Sequence, residues 1–362
     1  MERCFLYFVI FFVFISCCIS YAQDKKIIAE SYARSGIEEV DRGNFTKGIR
    51  FLEQAEECDP DNITYPYEIA LAYALDKDYG EAIEILEKLT KHKDVMDLVY
   101  SLLGSCYDYD GDPQKAIETY DKGLKLFPNS GPLHLERGMM ENMKKNYKKA
   151  LEYYEEGIKV APMYPSNYFR AAIIHIDYGN KVLGMFYAEI FMNLEKETKR
   201  TLAMGSLLFS AYKSSLKYDA DSNKINIYIR TSSLDFQTDS IYGILPGFLY
   251  YLMLSQQISG EPVINIESLN RIRTKHVTDY FKSGFNMEYY NVLYDWQNYL
   301  ISEKKFEAYN YWLFQAADFD EFKKWYDTHK QQYDDFEKWF KDNDIDINGK
   351  TKTLFMRLKK ED

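Results

Sequence analysis

Histidine is scarce and scattered in this chain. The five residues stand at 92, 134, 175, 276 and 329, with no pair four apart and no His-Glu-x-x-His arrangement. That leaves out the usual helical zinc-hydrolase signature. A glycine-rich phosphate loop and a Gly-x-Ser-x-Gly elbow are also absent, so neither phosphate cradling nor an elbow nucleophile is written here. Paired carboxylates are too common in so acidic a chain to mark a site. The formal net charge is −11, and no basic stripe exists to displace counterions from a phosphate backbone, which excludes nucleic acid as a partner. Three of the five cysteines, at 4, 17 and 18, lie in an N-terminal apolar segment. Only Cys58 and Cys106 remain, and they read as two small apolar side chains rather than a disulfide framework. The sequence reads as non-enzymatic, with no cofactor and no metal site.

Two acidic stretches resemble calcium loops without completing them. Asp219 to Asn223 is followed by Lys224 where glycine is wanted and by Arg230 where a bidentate glutamate belongs. Asp344, Asp346, Asn348 and Gly349 fit better, but Phe355 occupies the twelfth position, and Lys350 and Lys352 oppose a cation. Both read as surface turns. The charge-free stretch from Ser240 to Gly260 is strongly apolar only over 241–254 and is broken by Gly243, Pro246 and Gly247. That predicts a buried helix starting near Pro246 rather than a membrane span.

What is present is periodic. Gly36, Ala70, Gly104 and Gly138 are 34 residues apart, continued by Ala172. Gly48, Ala82, Ala116, Ala150 and Gly184 repeat the spacing, as do Pro60, Asp94, Pro128 and Pro162. Small residues in two registers allow paired helices to approach closely, with larger neighbours filling the grooves. A period of this length signals a helix-turn-helix solenoid. The apolar fraction of 46% is that of a globular protein, and 362 residues suggest about two domains.

Tyr100, Leu103, Gly104, Tyr107, Ala116, Tyr120 and Pro128 carry a specific likeness. With tyrosine in place of the first tryptophan and the later phenylalanine, the chain here resembles the tetratricopeptide-repeat (TPR) family. On that resemblance, residues 23–198 form a TPR solenoid with repeats at about 29–62, 63–96, 97–130, 131–164 and a degenerate 165–198. The expected class is all-α, with residues 199–362 forming a further mostly helical, aromatic-rich C-terminal region. Helices are expected over 266–282, 286–302 and 304–317. A last helix from Phe319 should continue unbroken towards 348, capped by Asp318 with Glu321. Its seam should be Phe319, Phe322, Tyr326, His329, Tyr333, Phe336 and Phe340.

The resemblance implies a binding groove lined by the first helix of each repeat. Its positions fall on Tyr67, Leu71, Leu75, Tyr109, Leu135, Met139, Met143, Phe169, Ile173 and Ile176. The Lys and Asn of the family's peptide-carboxylate clamp are missing, so chaperone-tail recognition does not carry over. So apolar a groove needs a cover. Either the protein's own C-terminal region fills it, the preferred reading, or an apolar or amphipathic segment of a protein partner does.

The N-terminus reads as a targeting segment: Arg3, an apolar run from Phe5 to Ile19, then Ser20, Tyr21 and Ala22 ahead of Gln23. Residues 1–22 are expected to be a cleaved signal peptide. A retained membrane anchor and a lipid on Cys17 or Cys18 are the rivals. Each places the body outside the cytosol, as a periplasmic, secreted or envelope-associated protein. The function expected is a non-catalytic extracytoplasmic scaffold for protein–protein interaction. The alternative is a ligand or glycan-binding protein that uses Trp296, Trp312, Trp325 and Trp339.

Overall fold

The computed structural model describes residues 23, 25–219, 224–227, 263–287, 289–347 and 355–357. The targeting segment and the helix expected near Pro246 lie outside them. The chain forms two compact units, Met1–Met140 and Glu141–Asp362.

The first unit contains α1 (25–41), α2 (Phe45–Cys58), α3 (Thr64–Leu75), α4 (Tyr79–Leu89), α5 (Asp97–Tyr109), α6 (Pro113–Leu126) and most of α7 (Gly131–Met143). Odd and even helices pair as first and second members of each repeat. The second helices bury one face only: Gly48, Ile49, Leu52 and Ala55 in α2, then Ala82, Leu86 and Leu89 in α4. This spacing of three and four is an amphipathic stripe.

One turn geometry recurs with the repeat. Gly43, Lys77, Gly111 and Lys145 all have left-handed backbones, with φ of 82°, 68°, 94° and 60°. The next amide in each case donates five residues back, as in Asn44 to Glu39 (2.8 Å) and Asp112 to Tyr107 (2.8 Å). This closes the first helix in a Schellman motif. The donor itself, Asn44, Asp78, Asp112 or Asn146, is the N-cap of the second helix. At Asp112 the side chain accepts from the Lys115 amide at 3.0 Å, so the acidic run from 108 to 112 is a turn device.

Small residues sit where helices cross. A Cβ placed on Gly104 would overlap the Tyr120 ring, and one on Gly123 would lie 2.8 Å from Tyr100 Cβ. Cys106 is buried here, and burial pushes its thiol up to about 11. Cys58 is half-buried.

The second unit holds α8 (Tyr147–Val160), α9 (Pro165–Tyr178), α10 (Lys181–Leu194) and α11 (Lys199–Ser215). Beyond them come α12 (Ile266–Lys282), α13 (Val292–Ser302), α14 (Phe306–Phe314) and α15 (Phe319–Asp342). Two short antiparallel ladders accompany this all-α fold. Strands β1 (Leu216–Asp219) and β2 (Lys224–Ile227) pair from Leu216–Ile227 to Asp219–Lys224. Strands β3 (Tyr289–Asn291) and β4 (Phe355–Arg357) pair from Tyr289–Arg357 to Asn291–Phe355. The helix expected from 286 therefore starts only at Val292, where Asn291 caps the Leu293 amide at 2.9 Å.

The last helix departs from expectation. It ends at Asp342 and is kinked at His329 (φ −123°, ψ 21°). His329 Nδ1 meets the Trp325 carbonyl at 3.0 Å, so a side chain occupies the backbone acceptor of the previous turn. The kink re-phases the seam. Phe322, Trp325, Tyr333, Phe336 and Phe340 are buried, whereas Phe319 is exposed and Tyr326 half-buried. Asp318 does cap the Glu321 amide (3.0 Å). Glu321 itself turns to the start of α12, accepting from the Ile266 and Glu267 amides at 3.0 and 2.9 Å, where the helix dipole favours an anion. Among the described residues, no helix is long and apolar enough to cross a membrane.

A further 34-residue series is acidic: Glu53, Glu87, Asp121, Glu155 and Glu189. Four of them accept a hydrogen bond from a later element. Glu87 takes the Tyr107 hydroxyl, and Asp121 takes Arg137 Nε at 2.9 Å. Glu155 takes His175 Nε2 at 2.9 Å, while the Asn180 amide donates to His175 Nδ1 at 3.2 Å, which leaves Nε2 as the ring donor. Glu189, the last of the series, has no further repeat to answer it.

Candidate functional site: the first-helix face and a buried polar cluster

The sequence-derived groove residues divide between the two units. In the first unit, Leu75 is 53% exposed and Tyr109 71%. Tyr67, Leu71 and Met139 are half-buried and Leu135 is buried. Tyr109 stacks on Tyr79 of the preceding repeat, centroids 5.5 Å apart. In the second unit, Met143 is exposed, Ile173 half-buried and Ile176 buried. Phe169 packs against Phe191 (5.0 Å) and lies under the Arg200 guanidinium (5.1 Å).

The described C-terminal helices attach to the last repeat through α10 and α11. Phe186 of α10 meets Tyr294 of α13 edge-on at 5.6 Å. Phe209 and Tyr212 of α11 meet Phe314 of α14 at 5.6 and 5.9 Å. At Gly205 on α11, an added Cβ would collide with the Leu313 carbonyl, so α11 and α14 touch backbone to backbone.

Inside this contact lies a polar cluster. Glu189 Oε1 accepts from Arg273, from Gln297 Nε2 at 2.7 Å and from the Tyr309 hydroxyl at 2.9 Å. Asn193, one turn on, donates to Tyr309 at 2.7 Å and accepts from Trp296 Nε1 at 2.8 Å. Arg273 is 3% exposed, and its guanidinium lies 5.4–5.8 Å from the rings of Phe314, Phe306 and Tyr212. Asp344, from the acidic stretch after α15, accepts from Lys196 at 2.7 Å.

The cluster encloses a cavity of about 10 Å³, lined among others by Glu189, Arg273, His276 and Tyr294. That is room for one water and no larger ligand. With three donors on one carboxylate oxygen, Glu189 is arranged as an anchor and not as a reacting base. The sequence reading did not find it. The available signal was the 34-residue acidic series, whose last member coincides with the loss of the repeat.

His276 sits beside this cluster, its Nε2 2.8 Å from the Tyr294 hydroxyl. Burial, with the nearby Arg273 charge, pushes its imidazole down to about 3, against a weaker opposing effect of Asp279. Below its ordinary value of 6.5, the unfolded chain takes up a proton that the folded chain refuses, so stability falls as pH drops. Between pH 7 and 5, His276→Gln should lose about 2 kcal/mol less stability than the parent. Urea titrations at the two pH values read this, and equal losses would show that His276 is not held neutral.

Comparisons with known proteins match tetratricopeptide-repeat sequences over part of the chain. The tetratricopeptide-repeat family model matches residues 98–130. The TPR repeat-containing protein MJ0940 of Methanocaldococcus jannaschii is 30% identical over 100 residues, 28% of this chain and 31% of that protein. The RNA polymerase-associated protein CTR9 of Saccharomyces cerevisiae is 33% identical over 92 residues, 25% of this chain and 8% of that one. The chain thus spans about a third of the first relative's length and less than a tenth of the second's. Similar solved structures include TTC0263, a TPR protein of Thermus thermophilus, at 16% identity and a TM-score of 0.42, covering 51% of this chain and 98% of that one. Pseudomonas aeruginosa pilF is 18% identical with a TM-score of 0.41, covering 52% and 86%. Helix pairs at a 34-residue period, the recurring left-handed turn and the match over 98–130 identify tetratricopeptide repeats in this chain, a fold that implies a scaffold for protein–protein interaction.

Proposed function

We propose that this chain is an exported, non-catalytic scaffold that holds a protein partner on the first-helix face of its N-terminal repeats. The observation that carries the reading is the exposure of Leu75 and Tyr109 on adjacent repeats, large apolar side chains at positions where the family presents its partners. The described C-terminal helices already pack their aromatic side chains on one another and on α10 and α11, which favours an outside partner over a lid made by those helices. A glycan reading finds less support, since Trp296, Trp312 and Trp325 are buried and offer no ring to a sugar face. Export rests on the run from Arg3 through Phe5–Ile19 to Ala22.

The test is an affinity capture from cell-envelope extract with the purified chain and with Leu75→Asp/Tyr109→Asp. The double variant should lose the captured partner while keeping its helical content, because both charges enter exposed positions. Equal capture by both chains would remove this face from the function. Mass spectrometry of the native protein should find Gln23 at its N-terminus.

A further inference from the structure

In the N-terminal unit, two neighbouring first helices, α3 and α5, carry charge of one sign. Helices α3 and α5 contain neither lysine nor arginine, yet they contain Glu68, Asp97 and Asp108, and α1 ends in Asp41. These four carboxylates have no ion pair among the described residues. Some other acids of the same unit are answered within the chain: Glu39 by Arg42 and Lys47, Glu84 by Lys88, Asp112 by Lys115 and Asp121 by Arg137. Three of these acids, Asp41, Glu68 and Asp97, are near enough to share an electrostatic environment. Burial and the charge of Asp41 hold the Glu68 carboxyl above its usual range. Burial, Glu68 and Asp97 together push the Tyr67 hydroxyl up to about 12. Between and beside them, Leu71 is half-buried and Leu75, Leu98 and Tyr109 are exposed.

We infer that this face takes a cationic amphipathic segment of a partner protein, with its apolar side chains on Leu71, Leu75 and Tyr109 and its lysines or arginines against Asp41, Glu68 and Asp97. The inference rests on the scaffold reading and adds the chemistry of the occupant. Charge complementarity decides it: an acidic segment meets repulsion from several carboxylates, and a neutral apolar one leaves them uncompensated beside a buried surface. Nucleic acid and anionic lipid carry the wrong sign for this face. The acids act chiefly on encounter and on choice of partner, and the apolar side chains hold the complex.

Fluorescence anisotropy of the whole chain with a labelled amphipathic Leu/Lys peptide, and with a twin carrying Glu for every Lys, tests this directly. The Leu/Lys peptide should bind at least about tenfold tighter than its twin, and its advantage should shrink at high salt. Glu68→Gln/Asp97→Asn should weaken it at least about fivefold. Glu57→Gln/Glu118→Gln, the same change in charge placed on second helices, should leave it unchanged. Absence of binding, equal binding of the twin, or equal weakening by both double variants would overturn the inference. If that happens while Leu75→Asp/Tyr109→Asp still loses its envelope partner, the scaffold reading stands and only the cationic occupant falls.

Discussion

Arg273→Met is expected to destabilise the C-terminal unit by about 3–5 kcal/mol, the usual loss when one partner of a buried ion pair is removed. Glu189 is 1% exposed, so its charge has no route to water once the guanidinium is gone. Gln297 and Tyr309 remain on the same oxygen, but neutral donors compensate a buried carboxylate poorly. Removing both charges, in Arg273→Met/Glu189→Met, should recover much of the loss, because the aromatic surround of Phe306, Phe314 and Tyr212 suits an apolar side chain. All four tryptophans lie at 296, 312, 325 and 339, so intrinsic fluorescence during urea unfolding reports this unit. A double variant no more stable than the single one would show that the cluster is not held by charge.

Gly104→Leu should destabilise the repeats by about 1–3 kcal/mol or more through overpacking. Even the Cβ alone has nowhere to go, because the Tyr120 ring already occupies its place. The ring is itself fixed, 1% exposed and with its hydroxyl 3.1 Å from Ser105 Oγ. Gly80→Ala is the matched control. It lies in α4 with nothing within 4 Å of the added carbon, so it should be neutral or stabilising by up to about 1 kcal/mol. Thermal midpoints from far-ultraviolet circular dichroism separate the two. An unshifted midpoint for Gly104→Leu would mean that α5 and α6 do not cross at this residue.

The repeat was legible because its determinants are local and periodic. Gly36, Gly104 and Ala116 mark crossings within one helix pair, and a 34-residue ruler finds them without any tertiary information. The turns were legible for the same reason, through Asp112 and the glycine before it. The C-terminal unit was read less well. Its β3–β4 ladder joins Tyr289 to Arg357 and Asn291 to Phe355, pairs far apart in the chain, and no local pattern encodes that pairing. The kink at His329 depends on one imidazole choosing a backbone acceptor, which a seven-residue pattern of aromatics conceals. The buried cluster was hardest to see. Glu189 looks like any surface acid of a second helix, while its partners lie 84, 108 and 120 residues further on.

The acidic series has a consequence for how such a chain could be rearranged. The four members that accept a bond are met by different sets of groups: a phenol at Tyr107, a guanidinium at Arg137, an imidazole at His175, and finally a guanidinium, an amide and a phenol together at Arg273, Gln297 and Tyr309. The joints between repeats are therefore not interchangeable, although the small-residue crossings nearly are. Duplicating or transposing a 34-residue block would preserve the packing inside each helix pair but would set an acid opposite the wrong group. The order of the repeats is thus written into their joints, and the block that ends in Glu189 can occupy only the last place.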